Sequence, residues 1–434
     1  WCSLCSFLCR SLRVTVTSWC FLFQLRKKYG DVVSLEFGWT NLVVLSGYKT
    51  LKEALVKKSE DFADRPSLQI YEKFLEQHGE GIVFAKYGDW WKQQRKFSLL
   101  TLKNFGLGKK TLKLRIVEEA EFLIEGFESE QGLTFDPHFH LTYATSNIIC
   151  SIVFGERFDY SHKKFLQLLH MLEESFVLEG GFWGQLVNAF PFLYYLPGPQ
   201  NKIIQNQRKT AQFWQEIITN TPNTSFLENK MITSLLGLFA AGTETTSTTL
   251  SWDLLFMVLH PDVQSRVHEE IDRVIGKGRR PRLEDREEMP FTNAVIHETQ
   301  RLGNIVPISL PHETYRDTTI MGYTIPKGTM IIPNISSALL DEDIWLTPHQ
   351  FNPGHFLNSE GKFVKPEAFI PFSAGHRVCL GEQLAKMELF IFFTSILQRF
   401  TLFLPENEAR PSYMEAHFGI TLCPLPYRLC AKAR

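Results

Sequence analysis

One run near the C-terminal end, Phe372-Ser-Ala-Gly375-His-Arg377-Val-Cys379-Leu-Gly381, gathers residues suited to holding a reactive group. Two glycines bracket a cysteine just before an apolar helical pattern. Glycine has no Cβ, so such a loop can bring its backbone close to a flat ligand. A helix starting after the cysteine aims free N–H groups at the sulfur. Those donors and the helix dipole favour thiolate over thiol. Arg377 can pair with an anionic substituent on the same ligand. The alternative is a buried free cysteine, the usual fate of a lone one. The coincidence of so many positions favours a ligand thiolate.

Other groups carry weaker signals. Ala241-Gly242-Thr243-Glu244-Thr245 interrupts a long helical pattern, Leu227–His260, with residues that form helix interiors poorly. A Thr hydroxyl there can take the i−4 carbonyl and bend the helix. An acid beside a hydroxyl can relay protons through water. A buried Thr-rich seam is the plainer alternative. Glu298-Thr-Gln-Arg301 puts an acid and a base on one helix face, as many solvated pairs do. Trp91-Lys-Gln-Gln-Arg95 sets an indole N–H and a guanidinium one turn apart, both donors. Glu179–Gln200 holds Phe182, Trp183, Phe190, Phe192, Tyr194 and Tyr195, too many rings for an exposed loop. They either pack under a lid or dip into a bilayer.

The first run matches F-x-x-G-x-R-x-C-x-G, the haem-ligand signature of the cytochrome P-450 superfamily, without departure. The resemblance extends from about Lys27 to Arg434. Within the superfamily the chain is similar to microsomal family-2 enzymes and, among them, to the J-type subfamily. The strings from Asn147 (N-I-I-C-S-I-V-F-G-E-R-F-D-Y), Leu196 (L-P-G-P) and Phe351 (F-N-P-G-H-F-L) carry that likeness.

The resemblance implies a mainly α fold with small β-sheets (α+β). A single haem-thiolate domain over 27–434 would follow an atypical, truncated-looking segment, 1–26. Cys379 becomes the axial ligand of haem b, pushing electron density that favours O–O cleavage. Thr245 hydrogen-bonds the activated oxygen, Glu244 supports proton supply, and Gly242 lets oxygen approach the backbone. Ala241, Ile305, Val306 and Ile420 line an apolar substrate pocket. Arg65, Trp91, Arg95, His312 and Arg377 hold the haem propionates. Glu298, Arg301 and His355, the last often Arg elsewhere in the superfamily, form a buried structural triad.

The same resemblance implies that one atom of O2 enters an apolar small molecule: polyunsaturated fatty acids such as arachidonate, and xenobiotics. Electrons come from NADPH through the flavoprotein NADPH–cytochrome P-450 reductase, docked by charge near Lys92, Arg95, Lys96, Lys109, Lys110 and Lys386. Cytochrome b5 is a further candidate partner. The expected location is the cytoplasmic face of the endoplasmic reticulum membrane, touched by the aromatic stretch. Two alternatives stand beside this. A haem-thiolate hydroperoxide isomerase needs no reductase, and the Glu244-Thr245 pair argues against it. A haem-binding but inactive truncated relative is the other.

The sequence departs from the family in two places. The Pro-rich hinge before Lys27 and a legible anchor helix are missing. At Asn220–Thr224, I-I-T-N runs straight into T-P-N-T-S-F where relatives have further helix. Cys2, Cys5 and Cys9 lack the second knuckle that a zinc site needs.

The elements that must position these groups are legible in outline. Asp31–Tyr48 predicts a hairpin, and Thr50–Phe62 a helix. Most of Asp89 to about Gly180 is helical in pattern. Pro261–Gly276, Phe291–Leu302 and Gly381–Phe400 predict further helices. Thr318–Ile332 predicts a hairpin turning at Gly322 and at Pro326-Lys327-Gly328. Trp345–Cys379 is loop-rich, and Ile420–Cys430 is short strand material. With 46 basic against 47 acidic residues, no global field favours nucleic acid. A 44% hydrophobic, 21% charged composition excludes disorder. Half of the eight cysteines lie in the first twenty residues, so no disulfide framework is implied and a reducing compartment suits the body.

Overall fold

The computed structural model describes residues 17–37, 40–105, 110–220, 229–406 and 408–434. Cys2, Cys5 and Cys9, and the join that follows Asn220, lie outside them.

After α1 (Thr17–Tyr29), β1 (Val32–Phe37) and β2 (Thr40–Leu45) form the expected hairpin, paired from Val32↔Leu45 to Phe37↔Thr40. The next helical stretch is α2 (Tyr48–Lys52), continued by one π turn over Glu53–Lys57. Helices then dominate: α3 (Gln69–His78), α4 (Gly81–Phe84), α5 (Asp89–Phe105) and α6 (Lys110–Ser129). After β3 (Thr134–Phe135) come α7 (His138–Val153), α8 (Lys163–Gly180), α9 (Phe182–Ala189) and α10 (Gln200–Asn220). The long α11 (Asn229–Leu259) is followed by α12 (Pro261–Val274) and α13 (Pro290–Gly303). Proline opens both of the last two, where its missing N–H costs nothing. α13 ends on Asn304 at φ 41°, a left-handed C-terminal residue that stops the helix.

The expected Thr318–Ile332 hairpin is corrected. β5 (Thr318–Ile320) and β6 (Tyr323–Ile325) pair with each other alone. β7 (Met330–Pro333) leaves them after the Pro326–Gly328 turn. It runs parallel to β2, with Val43↔Ile331, and antiparallel to β4 (His312–Glu313). The driving force is burial. Ile331 packs with Val43, Leu45, Leu51, Trp345 and Phe356 in a core beneath this four-stranded sheet.

The chain continues through α14 (Ser336–Leu339) into a loop-rich stretch and then α15 (Glu382–Arg399). Short strands close it: β8 (Phe400–Phe403), β9 (Ala416–Phe418), β10 (Leu422–Pro424) and β11 (Leu429–Ala433). The larger core joins α6, α7, α11, α12 and α15 through residues such as Leu123, Ile148, Phe256, Ile271 and Phe393, all buried. α11 crosses this core and carries the Thr-rich run. Gly242 serves its packing. A Cβ there would lie 2.5 Å from Ile149 Cδ1, so the small residue seats α11 against α7.

Candidate active site

Cys379 sits at the end of a loop held in one shape. Gly375 has φ 75°, and a Cβ there would overlap the Leu55 carbonyl, so only glycine fits. The His376 N–H donates to Ser59 Oγ at 2.7 Å, and the Cys379 N–H to the Phe372 carbonyl at 3.0 Å. Cys379 is reachable from one side, while the rest of its surroundings desolvate the sulfur. The expectation of a ready-made thiolate is corrected. Burial pushes the thiol up, and the N–H groups of Gly381 and Glu382 and the charge of Arg95 pull it down less. A metal cation at the sulfur would reverse that balance.

Cations crowd the neighbourhood. Arg377 donates from Nε to the Ala63 carbonyl and from Nη2 to the Ala85 carbonyl, both at 2.7 Å. Arg65 donates to the Pro311 carbonyl at 2.6 Å and to those of Leu310 and Val83. Arg95 donates to the Val378 carbonyl at 2.6 Å. None of the three forms an ion pair among the described residues. Asp64 lies close, yet its Oδ1 is taken by the backbone N–H groups of Arg65 and Tyr87. Burial and the neighbouring Arg377 push Arg65 down to about 9. Burial, with Arg95 adding to it, pushes Arg377 down to about 10. His312 is wholly buried: its Nδ1 donates to the Phe62 carbonyl at 2.6 Å and its Nε2 has no partner among the described residues. Burial and the arginines hold its ring neutral.

Unpaired buried charge is costly. This cluster therefore has room for anionic groups, and His312 Nε2 is a polar atom still waiting for a partner. A planar ligand with two carboxylates and a thiolate-seeking metal fits the residues present, as haem does.

Trp91 plays a different part from the one expected. Its Nε1 donates to the Ile82 carbonyl at 3.0 Å, so the indole N–H is not free for a propionate. The ring instead lies under the guanidiniums of Arg377, at 4.1 Å, and Arg95, at 5.6 Å. It steadies both through cation–π contact.

On α11, Thr245 Oγ1 donates to the Ala241 carbonyl at 2.6 Å, and Thr249 Oγ1 to the Thr245 carbonyl at 2.8 Å. Ala241 is exposed and Thr245 partly so. Glu244 is buried and faces elsewhere. Its Oε1 accepts from Thr421 Oγ1 at 2.7 Å, with Thr248 and Cys423 at 3.5 Å. Consecutive helix positions diverge by about 100°, so Glu244 and Thr245 are neighbours in sequence and do not bond each other.

Two of the proposed pocket residues are tied by their backbones to other segments. The Leu422 N–H donates to the Ile305 carbonyl at 2.8 Å, and the Ile420 N–H to the Phe176 carbonyl at 3.1 Å. Val306 follows Ile305 in the same loop, and all three side chains are half-buried. Gly180 of α8 packs so tightly on the Gly419 backbone that a Cβ would overlap it.

Glu298, Arg301 and His355 do come together. Arg301 donates to both Glu298 oxygens at 2.7 and 2.8 Å, and His355 Nδ1 lies 3.1 Å from Glu298 Oε2. Arg301 also donates to the carbonyls of Leu339, Pro348 and Gln350.

Lys92, Arg95, Lys96 and Lys103 line an open groove of about 440 Å³ beside His376. Lys386 is occupied by Glu382 at 2.5 Å, and the side chains of Lys109 and Lys110 lie outside the described residues. The aromatic stretch is helical rather than a loop. Phe182, Trp183, Phe192 and Tyr195 are exposed, whereas Tyr194 is buried with Ile70, Val187 and Ile203. No described helix is long and apolar enough to cross a membrane.

The family model for cytochrome P450 matches residues 11–224 and 215–431. The chain belongs to the cytochrome P450 family. The two matched segments meet where the sequence runs short after Asn220. The chain is 47% identical to human cytochrome P450 2J2 over 93% of its own length and 85% of the relative's. It is 46% identical to rat cytochrome P450 2J3, covering 95% and 86%. It is 45% identical to dog cytochrome P450 2D15, covering 96% and 88%. These values support microsomal family 2 and lie too close together to separate J-type from D-type. The P450 chain is thus a haem-thiolate monooxygenase, and its family's cofactor is haem iron.

Sequence reasoning missed Thr421 and Cys423 as the partners of Glu244. They lie 177 and 179 residues away, with no local pattern to announce them.

Proposed function

We propose that this P450 oxygenates apolar substrates, polyunsaturated fatty acids such as arachidonate and xenobiotics among them, at the cytoplasmic face of the endoplasmic reticulum membrane. NADPH supplies the electrons through its flavoprotein reductase, with cytochrome b5 as a second donor. The observation that supports the reading best is the meeting of a reachable Cys379 with three unpaired guanidiniums in one site.

Haem bound there supplies the activation of dioxygen and the transfer of one of its atoms. Cys379 would hold it by the sulfur, and Arg65, Arg95, Arg377 and His312 Nε2 would hold its carboxylates. Thr245, open on α11, is placed to hold a proton at Oγ1. Ala241, Ile305, Val306 and Ile420 would keep water from an apolar substrate. The groove of Lys92, Lys96 and Lys103 suits an acidic redox partner.

Cys379→Ser is expected to abolish the red-shifted ferrous–CO Soret band, because a hydroxyl cannot donate as a thiolate does. A mutant that keeps the band would refute the ligand assignment. Product analysis with arachidonate, with and without reductase, then tests the reaction. Since Glu244 and Thr245 do not bond each other, the reductase arm is what separates oxygenation from hydroperoxide isomerisation. Products formed from a fatty-acid hydroperoxide without reductase would support the isomerase.

The exposed rings of α9 and the turn after it support the membrane reading. Replacing Phe182, Trp183 and Phe192 with serine should reduce co-flotation with liposomes, since each ring offers 150–250 Å² of surface, roughly, for burial. Unchanged flotation would remove this face from the membrane contact.

A further inference from the structure

The buried acid of α11 is held by a hairpin from the far end of the chain. β9 and β10 pair only with each other, from Phe418↔Leu422 to Ala416↔Pro424, and Gly419, Ile420 and Thr421 form the turn between them. A hairpin of two strands is marginal by itself, so its placement depends on its surroundings. The Ile420 N–H holds the turn to the Phe176 carbonyl of α8, and the Leu422 N–H holds β10 to the loop at Ile305. Trp252 Nε1 of α11 donates to the Leu422 carbonyl at 2.9 Å, one residue past the turn. The turn itself has one tie to α11 among the described residues: Thr421 Oγ1 donates to Glu244 Oε1 at 2.7 Å, and both residues are buried. Thr248 and Cys423 reach the same oxygen only at 3.5 Å. That is long for a hydroxyl, and a thiol is a weak donor. A buried carboxyl that lost its hydroxyl donor would be costly, so the fold keeps this bond.

The position of the bond gives it a use. Glu244 lies three residues after Ala241 on α11, and Thr421 directly follows Ile420. Ala241 and Ile420 are two of the residues proposed to line the apolar pocket. Apolar packing has no direction, whereas a hydrogen bond fixes a register. We infer that Thr421 is a positioning residue that governs regioselectivity. By holding Glu244 it fixes the wall that carries Ile420 against the helix that carries Ala241, and so sets which carbon of an apolar chain is presented for oxygenation. The inference rests on the proposed oxygenation of apolar substrates in this pocket. It asks of Glu244 only an acceptor oxygen, which glutamine also offers.

The test uses the full chain with haem and reductase, takes arachidonate as substrate, and compares Thr421→Val, Thr421→Ser and Glu244→Gln with the parent. Two quantities are read: the ratio of the two main regioisomeric products, and hydrogen exchange of the backbone amides of 416–424. Valine keeps the shape and removes the donor. Thr421→Val should change the product ratio about fivefold, within what a small misplacement of a reacting group does. Exchange at 419–422 should quicken about fivefold, the size of one net hydrogen bond, without a matching change elsewhere. Serine keeps the hydroxyl, so Thr421→Ser should give the parental ratio and parental exchange. Glu244→Gln should give the parental ratio even where fewer products form per NADPH. A parental ratio in Thr421→Val overturns the inference, and so does a ratio that moves as far with serine as with valine. A changed ratio in Glu244→Gln overturns it too, since the acceptor is then not what matters. Exchange that quickens throughout the chain marks a general loss of stability and also overturns it. Should Thr421→Val fail to retain haem, Thr421→Ala is compared with Thr421→Ser, and a parental ratio in the alanine variant overturns the inference. A parent that forms no product with reductase present overturns the reading beneath the inference, and regioselectivity with it.

Discussion

Replacing Arg301 with methionine is expected to leave a chain that retains little haem and melts far below the parent. Arg301 and Glu298 are both fully buried, and the guanidinium also supplies the carbonyls of Leu339, Pro348 and Gln350. Methionine matches the length of the stem and removes every donor. Breaking a buried pair from one side costs about 3–5 kcal/mol, because the remaining charge stays behind unpaired. Each carbonyl left without a partner adds about 1–3 kcal/mol. Against a total stability of roughly 5–15 kcal/mol, that loss is decisive. The three carbonyls belong to the stretch that leads into the cysteine loop, so the damage should reach the haem cradle first. Lysine should rescue only in part, since a point charge can meet Glu298 but cannot span the fork. Thermal melting followed at the Soret band checks this. A methionine variant melting within a few degrees of the parent would show that the pair does not hold the loop.

What the sequence made legible was local. The cysteine loop announced itself in part because Gly375 is needed by backbone geometry, and such a need leaves a mark on residue type. The helix from Pro261 was legible for a like reason: proline at a first turn is a positional signal. The sheet was not. β7 pairs with β2 across nearly three hundred residues, and the local pattern at Met330–Pro333 fitted a hairpin equally well. Trp91 was placed correctly near the arginines, yet its N–H was misassigned. Spacing along α5 cannot show the Ile82 carbonyl waiting on a preceding turn. The partners of Glu244 were hidden for a related reason, since they come from the far end of the chain. The buried acids were hardest. An acid in a helix ordinarily reads as solvated, and only the apolar company of Glu388 in E-L-F-I-F-F hinted otherwise.

The fold is expected to lose stability as pH rises from the acid side toward neutrality, and Glu179 should account for a measurable share. This carboxyl ends α8, 7% exposed, and accepts from Tyr71 Oη of α3 at 2.6 Å and from Gln207 Nε2 of α10 at 3.0 Å. It therefore ties three helices and forms no ion pair among the described residues. Burial raises it from 4.5 to about 7, with the two donors opposing. The sign follows from which form the fold prefers. Below 4.5 both folded and unfolded chains carry the proton, and the group has no effect on their difference. Between 4.5 and about 7 the unfolded chain has ionised while the folded one keeps its proton, so stability falls as pH rises. Above about 7 the folded group ionises too, and the penalty levels off at about 3 kcal/mol. Glutamine in its place cannot ionise. Glu179→Gln should therefore lose less melting temperature than the parent as pH rises from 4.5 to about 7. The difference between the two should vanish toward the acid end of the range. Parallel slopes for parent and variant would mean that Glu179 is already ionised in the fold, its charge carried by Tyr71 and Gln207 alone.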